Sequence, residues 1–257
     1  MTRVFITGAS SGIGAALARA YAAQGAALGL VARRHEVLAD LAAALPHPER
    51  HTIYPLDVTD HAALSAAAAD FIARHGGADI VIANAGISHG TLTEHPEDQA
   101  VFDAILATNL NATYATFAPF IGAMKGQDGP RRLVGIASVA GVRGLPGAGA
   151  YSASKAAVRC YCESLRLEMK PHGIRVVTLA PGYIDTPMTS KNPYPMPFLM
   201  PAERFARKAL RAIAAGDSYR VIPWQMGVVA KLLRILPDAW YDLAFARAPR
   251  KPRKVQA

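Results

Sequence analysis

The run Tyr151-Ser152-Ala153-Ser154-Lys155, with Ser138 thirteen residues before the tyrosine, carries the groups best suited to moving a proton. On a helix, Tyr151 and Lys155 stand one turn apart on one face. An ammonium beside a phenol favours the phenolate, so the pairing is expected to lower the tyrosine pKa from its usual value of about 10. A tyrosine tuned in that way exchanges a proton near neutral pH. The Ser138 hydroxyl can hold the oxygen that receives it. This is equipment for interconverting a carbonyl and an alcohol. No side chain carries hydride, so a cofactor is required. A Tyr and a Lys one turn apart are also common on surface helices, and the pair alone does not separate chemistry from accident.

The N-terminus supplies the missing part. Residues 3–7 read as a strand and run into Thr7-Gly8-Ala9-Ser10-Ser11-Gly12-Ile13-Gly14; an alanine-rich helix then extends to about residue 24, where Gly25 ends it. Strand, glycine turn and helix form the setting in which such a motif binds a dinucleotide. Gly8 allows the tight turn, Gly12 lets the backbone approach a pyrophosphate, and Gly14 lets the helix pack closely on the strand. Ser10, Ser11 and Ile13 complete this cofactor-binding turn. The helix N-terminus offers N–H groups to the phosphates.

The elements that must position these groups follow in order. Residues 27–32 are apolar throughout, as in a strand buried on both faces. Arg33 and Arg34 come next, where an Asp or Glu would bind the ribose hydroxyls of NAD(H); a guanidinium matches a 2′-phosphate, so NADP(H) is expected over NAD(H). The alternative is two exposed arginines opening the next helix. A helix at 35–45 and a strand at 51–56 lead to Asp57 and Val58. Asp57 can accept from an adenine amino group or belong to the cap region of a helix at 61–75, for which Asp60 is the better cap. A strand at 79–83 leads into Asn84-Ala85-Gly86, small residues that let backbone lie against a flat ligand. Residues 92–124 read as mostly helical, yet Asn109 and Asn111 are poor mid-helix residues. They mark a distortion, a buried polar role, or a solvated face. A strand at 131–137 ends at Ser138, the helix carrying Tyr151 runs to about residue 170, and a strand at 174–179 precedes Pro181-Gly182.

Strands alternating with helices predict a Rossmann-type, doubly wound α/β fold: a parallel sheet with helices on both faces. Ligands then lie at the carboxyl ends of the strands, where Gly12, Asn84, Ser138 and Pro181 all fall. The 257 residues are 51% apolar, enough for a sizeable core. They divide into a dinucleotide-binding catalytic part, 1–222, and a C-terminal apolar helical extension with a basic tail, 223–257. Cys160 and Cys162 are the only cysteines. That excludes a disulfide framework or a thiolate zinc site, no metal is expected, and a reducing, cytoplasmic compartment fits. The opening residues have too short an apolar run for a signal peptide, and no run is long enough to span a membrane.

The remaining signals bear on partners. The net charge is +9, with Arg247, Arg250, Lys251, Arg253 and Lys254 crowded at the end. They read as a solvated, frayed tail or as a surface for a phosphate-rich partner or anionic membrane; no nucleic-acid motif accompanies them. Residues 187–201 hold five prolines with Met188, Met196, Phe198, Leu199 and Met200. They predict an apolar substrate or packing on the core or a second subunit. In 224–245, Lys231, Arg234, Asp238 and Asp242 form a narrow polar stripe among large apolar residues, and Pro237 should split the segment into two helices. A narrow polar stripe predicts mostly buried helices, packed on the domain, on a second subunit or in a membrane interface.

Taken together, TGASSGIG at 7–14, NAG at 84–86, Asn109, Ser138, Tyr151 with Lys155, and PG at 181–182 resemble the short-chain dehydrogenase/reductase family in its single-domain form. The resemblance covers about the first 190 residues in the family's order and spacing. It implies Tyr151 as the general acid for reduction and Lys155 as the group that binds the nicotinamide ribose and lowers the tyrosine pKa. It further implies Ser138 as the holder of the substrate oxygen, and Asn109 in a kinked helix ordering water in a relay to Lys155. Thr186 matches the position contacting the nicotinamide amide, Ile184 lies in the same cofactor-binding stretch, and hydride would pass from the pro-S side. Ala83 and Ala137 depart mildly from the family pattern. The expected function is NAD(P)(H)-dependent hydride transfer to or from a small, apolar or lipid-like carbonyl or alcohol, by a dimer or tetramer. The alternative is a catalytically weak nucleotide-binding regulatory protein, or a membrane-peripheral one, of the same fold.

Overall fold

A computed structural model of the protein describes residues 1–190 and 192–253. The elements run β1 (Arg3–Thr7), α1 (Gly12–Ala22), β2 (Ala27–Ala32), α2 (His35–Ala44), β3 (His51–Pro55), α3 (His61–His75), β4 (Ile80–Ala83), α4 (Gln99–Leu106) and α5 (Ala112–Lys125). They continue with β5 (Arg132–Ile136), α6 (Gly149–Met169), β6 (Arg175–Pro181), β7 (Ile184–Asp185), β8 (Met200–Pro201), α7 (Ala202–Ala215), β9 (Tyr219–Ile222), α8 (Trp224–Ile235) and α9 (Asp238–Phe245).

Seven strands form one parallel sheet in the order β3-β2-β1-β4-β5-β6-β9, and β7 pairs with β8 apart from it. Successive side chains of a strand point to opposite faces, so each strand feeds two cores. Val4 and Ile6 join Leu28, Leu30, Ile82, Val134 and Val177 against α1 and α7. Phe5, between them, faces the other way with Val31, Val81, Leu133 and Val176 against α3, α5 and α6. Gly29 makes that second core possible. A Cβ there would meet Phe5 and Phe71 at 2.6 and 2.7 Å, and the two rings pack edge to face at 5.5 Å. The strand order reverses between β1 and β4, which opens a crevice at their carboxyl ends.

Local chemistry fixes the element ends. The Asp60 carboxylate accepts from Ala63 N at 3.0 Å and starts α3, and Gly76 ends it in the left-handed region at φ 71°. Between α4 and α5 the chain widens into a π-turn over Ala107–Asn111. The distortion expected from the two asparagines is present, and it separates them: Asn109 is fully buried while Asn111 is exposed.

Two readings of the C-terminal third are narrowed. The helices α8 and α9 meet at Pro237, but they are not mostly buried against their own domain. Only Met226, Ala230 and Tyr241 are, while Trp224, Leu232, Ile235, Trp240 and Leu243 stand exposed. The reason is position. β9 is the edge strand, and α8 rests on it and on the turn at Gly182 by one side only, with Met226 against Gly182 and Gly227 against Val221. Arg143 clasps the pair by donating to the Leu233 and Leu236 carbonyls and to Asp238, and it lies over the Tyr241 ring. Nor is the described part of the tail free. Gly90 donates to the Pro252 carbonyl at 2.9 Å, and Arg253 pairs with Glu97 and Asp98 at 2.7 and 2.8 Å. Lys254 lies outside the described residues.

Candidate active site

The glycine turn is held shut from behind. Thr7 Oγ1 accepts from the backbone N–H groups of Asn84 and Ala85 at 3.1 and 3.2 Å, tying the ends of β1 and β4 together. The Asn84 amide donates to the Thr7 and Gly8 carbonyls at 3.0 and 3.2 Å. Gly8 and Gly12 take φ of +67° and +53°, which side-chain-bearing residues rarely adopt. A Cβ on Gly14 would run into the Gly8 carbonyl oxygen, so α1 can approach β1 only because position 14 is glycine. Ser11, at the N-cap, makes no capping bond with its side chain. The first turn of α1 thus presents its N–H groups to a cleft of about 710 Å³ lined by Ser10, Ser11, Gly12 and Ile13. Glycines where a Cβ would obstruct, at a helix start with uncapped donors, suit a pyrophosphate.

At one end of the cleft lie Arg33, Arg34, Asp57 and Val58. Arg34 Nη2 donates to Ser10 Oγ at 3.2 Å, and Arg33 stands 3.7 Å from Asp57. The Asp57 Oδ1 accepts from both the backbone and the hydroxyl of Thr59. Burial pushes this carboxyl up, but Thr59 and Arg33 together hold it below its usual range, so it stays an anion. Both arginines are exposed and neither is locked to a strong partner.

At the other end Ser138, Tyr151 and Lys155 line the same cleft. Ser138 follows β5 and accepts from Ala140 N at 3.1 Å; Tyr151 and Lys155 lie in the first two turns of α6. Lys155 is buried, donates to the Ile136 carbonyl at 2.9 Å, and stands 5.9 Å from the Tyr151 ring centre. Burial pushes its ammonium down to about 8. The expected lowering of the tyrosine by this lysine is not present. Burial pushes the Tyr151 phenol up, and only the hydroxyl of Ser138 pulls the other way. The physical reason is that the ammonium is turned to a carbonyl on β5 rather than to the phenol.

Asn109 does not line the cleft; it braces the wall behind. Its Oδ1 accepts from Ile87 N at 2.8 Å, and its Nδ2 donates to the Ile87 carbonyl and to Ser154 Oγ at 3.1 and 2.9 Å. Gly86 passes so close that a Cβ would stand 3.2 Å from Asn109 Oδ1 and 3.5 Å from Lys155 Nζ. The side-chain amide is therefore spent on protein partners. A water relay could use only the Asn109 main-chain carbonyl, which accepts from Thr113 Oγ1 at 2.8 Å.

Asn84, Ala85, Gly86, Pro181, Gly182, Ile184 and Thr186 line the cleft as well. Gly14 and Asn109 are thus the two sequence-predicted residues outside it, and each supports a residue within. Of the apolar residues in 187–201, Met188 reaches the cleft, Met200 is buried in the core, and Phe198 and Leu199 are exposed. Sequence reasoning placed Thr7 at the head of the glycine motif but missed its role in tying β1 to β4. It also missed His89, which lines the cleft, and Lys251, whose Nζ donates to Ser88 Oγ at 2.7 Å and lies 5.8 Å from the Tyr151 ring centre. Nothing in a basic tail signals that it folds back more than 150 residues.

The comparisons agree with this geometry. The sequence profile of the short chain dehydrogenases matches residues 2–195. An uncharacterized oxidoreductase of Mycobacterium tuberculosis is 40% identical over 241 residues, which is 91% of this chain and 94% of that one. One from Myxococcus xanthus is 35% identical over 247 residues, covering 94% and 95% of the two chains. Among solved structures, a short-chain dehydrogenase from Streptomyces avermitilis superposes with a TM-score of 0.78 at 24% identity over 96% of this chain and 99% of that one. A 3-ketoacyl-(acyl-carrier-protein) reductase from Brucella melitensis, complexed with NADH, superposes with a TM-score of 0.77 at 26% identity over 86% and 96%.

Proposed function

The chain belongs to the short-chain dehydrogenase/reductase family, and from that premise we propose that it reduces the carbonyl of an apolar substrate, or oxidises the matching alcohol, with NADP(H) preferred over NAD(H). One observation carries the reading: a single cleft has the glycine turn with Arg33 and Arg34 toward one end and Ser138, Tyr151 and Lys155 at the other. A nicotinamide dinucleotide held along it supplies the hydride. Gly8 to Ile13 take the pyrophosphate, Arg33 and Arg34 take the 2′-phosphate, and Lys155 holds the nicotinamide ribose. Ser138 Oγ holds the substrate oxygen, and Tyr151 Oη delivers its proton. Met188 gives the substrate side an apolar contact. The test is steady-state reduction of a panel of ketones, steroids and acyl compounds with NADPH and with NADH. Turnover with NADPH supports the proposal, and none with either cofactor across the panel removes it.

A separate observation supports a proposal about attachment. Trp224, Leu232, Ile235, Trp240 and Leu243 are between 59% and 78% exposed, too much apolar surface to leave unassigned. Lys231, Arg234, Arg247 and Arg250 are exposed on the same segment. We propose that this face meets an anionic membrane surface, where an apolar substrate dissolves. Assembly into a dimer or tetramer is proposed from the exposed Tyr114 on α5 and Leu167 on α6, and sedimentation of the pure protein tests it.

A further inference from the structure

Lys251 stands beside the Tyr151 ring as a cation without a counter-ion among the described residues. Its Nζ is 5.8 Å from the Tyr151 ring centre, and Lys155 Nζ is 5.9 Å from the same point. Lys155 is committed to the Ile136 carbonyl, whereas Lys251 donates to a neutral hydroxyl, Ser88 Oγ, at 2.7 Å. Ser88 sits between Ile87 and His89, both of which line the cleft. No carboxylate lies within ion-pair distance of Lys251 among the described residues.

The segment around it is built to hold it there. Gly90 N donates to the Pro252 carbonyl at 2.9 Å, and a Cβ on Gly90 would strike the Lys251 carbonyl oxygen. Arg253 donates to both oxygens of the buried Asp98, one of which also accepts from Leu92 N, and to Glu97. On the other side the Arg250 side chain covers Gly147, where a Cβ would come within 2.9 Å. Arg253 pairs with Glu97 and Asp98, so among the described residues neither balances the Lys251 charge. Half-burying an unpaired ammonium costs free energy, and burial does push this one down. A charge kept at such a place beside the Tyr151 ring suits a ligand that brings the opposite charge.

We propose that Lys251 is a specificity-determining residue that pairs with a carboxylate near the reacting carbonyl, so that the preferred substrate is an amphiphilic keto acid rather than a neutral ketone. This rests on the carbonyl-reducing function proposed above. Hydride and proton still go to the carbonyl carbon and oxygen, and Lys251 exchanges no proton or bond.

The test uses the full chain with NADPH and matched pairs of α-, β- and γ-keto acids and their methyl esters. The readout is the ratio of kcat/KM for acid over ester. The wild type should favour one of the acids. Lys251→Met should lower that ratio by about tenfold, the worth of one charge-assisted contact, and Lys251→Arg should keep most of it. An unchanged ratio in Lys251→Met overturns the proposal, even if overall turnover or its pH profile shifts, because that would place Lys251 in tuning Tyr151 or in structure. Calorimetric binding of hexanoate and hexanamide to the NADPH-saturated protein is the second arm and needs no turnover. A Lys251-dependent preference for hexanoate, with no ketone reduced, would keep the anion site and sink the reductase reading; no preference would overturn the site itself.

Discussion

Lys155 carries a charge at a buried position, and this has a consequence for stability. Burial lowers its pKa from 10.5 to about 8, so between those values the unfolded chain binds more protons than the folded one. The penalty is full below pH 8 and fades as pH rises toward 10.5. Lys155→Met, though inactive, should therefore gain stability relative to the wild type at pH 7 and lose that advantage near pH 10. Cys162, pushed up to about 12 by burial, titrates in the opposite sense and is coupled to the Lys155 charge, so the comparison is made in a Cys162→Ala background. Denaturant melts across pH measure it, and a pH-independent difference would place Lys155 outside the ionising groups of the core. At the far end of the cleft, Arg33→Ala with Arg34→Ala should weaken NADPH by at least about tenfold while sparing NADH. Equal losses in titrations with the two dinucleotides would show that these arginines do not read the phosphate. The positions of these groups were legible because residue type and spacing encode them. The protonation of Tyr151 was not, because it depends on which way one ammonium turns.

Elements were the most legible scale wherever a local signal ends them: Asp60 and Gly76 around α3, Gly25 after α1, Pro237 between α8 and α9. The π-turn was foreshadowed by Asn109 and Asn111, but which of them turns inward depends on Ile87 and Ser154 and could not be read. Which of the three covers meets α8 was not legible, because a helical net records which residues share a face, not what covers that face. The β1–α1 junction makes the sharpest prediction at this scale. Gly14→Ala places a methyl group on the Gly8 carbonyl, a backbone atom that cannot step aside without opening the turn. It should cost about 1–3 kcal/mol in unfolding free energy and weaken dinucleotide binding. A variant as stable as the wild type would mean that α1 has room that the geometry denies.

Across the whole molecule, the C-terminal segment packs onto loops that flank the cleft. Arg143 ties α8 and α9 to the loop after Ser138, and Arg253 ties the tail to the loop after β4. None of this was legible, since it rests on ion pairs between residues 95 to 156 positions apart. It also redistributes the cations: Arg253 is spent within the fold, while Lys231, Arg234, Arg247 and Arg250 stay exposed on the segment that carries Trp224 and Trp240. On the proposed attachment, each cation near an anionic surface would add about 1 kcal/mol, with the exposed Asp238 and Asp242 opposing it. The protein should float with anionic vesicles at low salt, not with neutral ones, and the double variant Trp240→Asp, Leu243→Asp should stay behind while remaining folded. A wild type that ignores both kinds of vesicle would leave this face for a second copy of the chain.

The central claim is that Tyr151 gives the proton that completes hydride transfer, and it is tested most directly by Tyr151→Phe. With a ketone that the wild type reduces, turnover should fall by roughly two to four orders of magnitude, the contribution of a general acid. NADPH affinity should change little, because the glycine turn and the arginines remain. A variant that keeps most of its turnover would contradict the account.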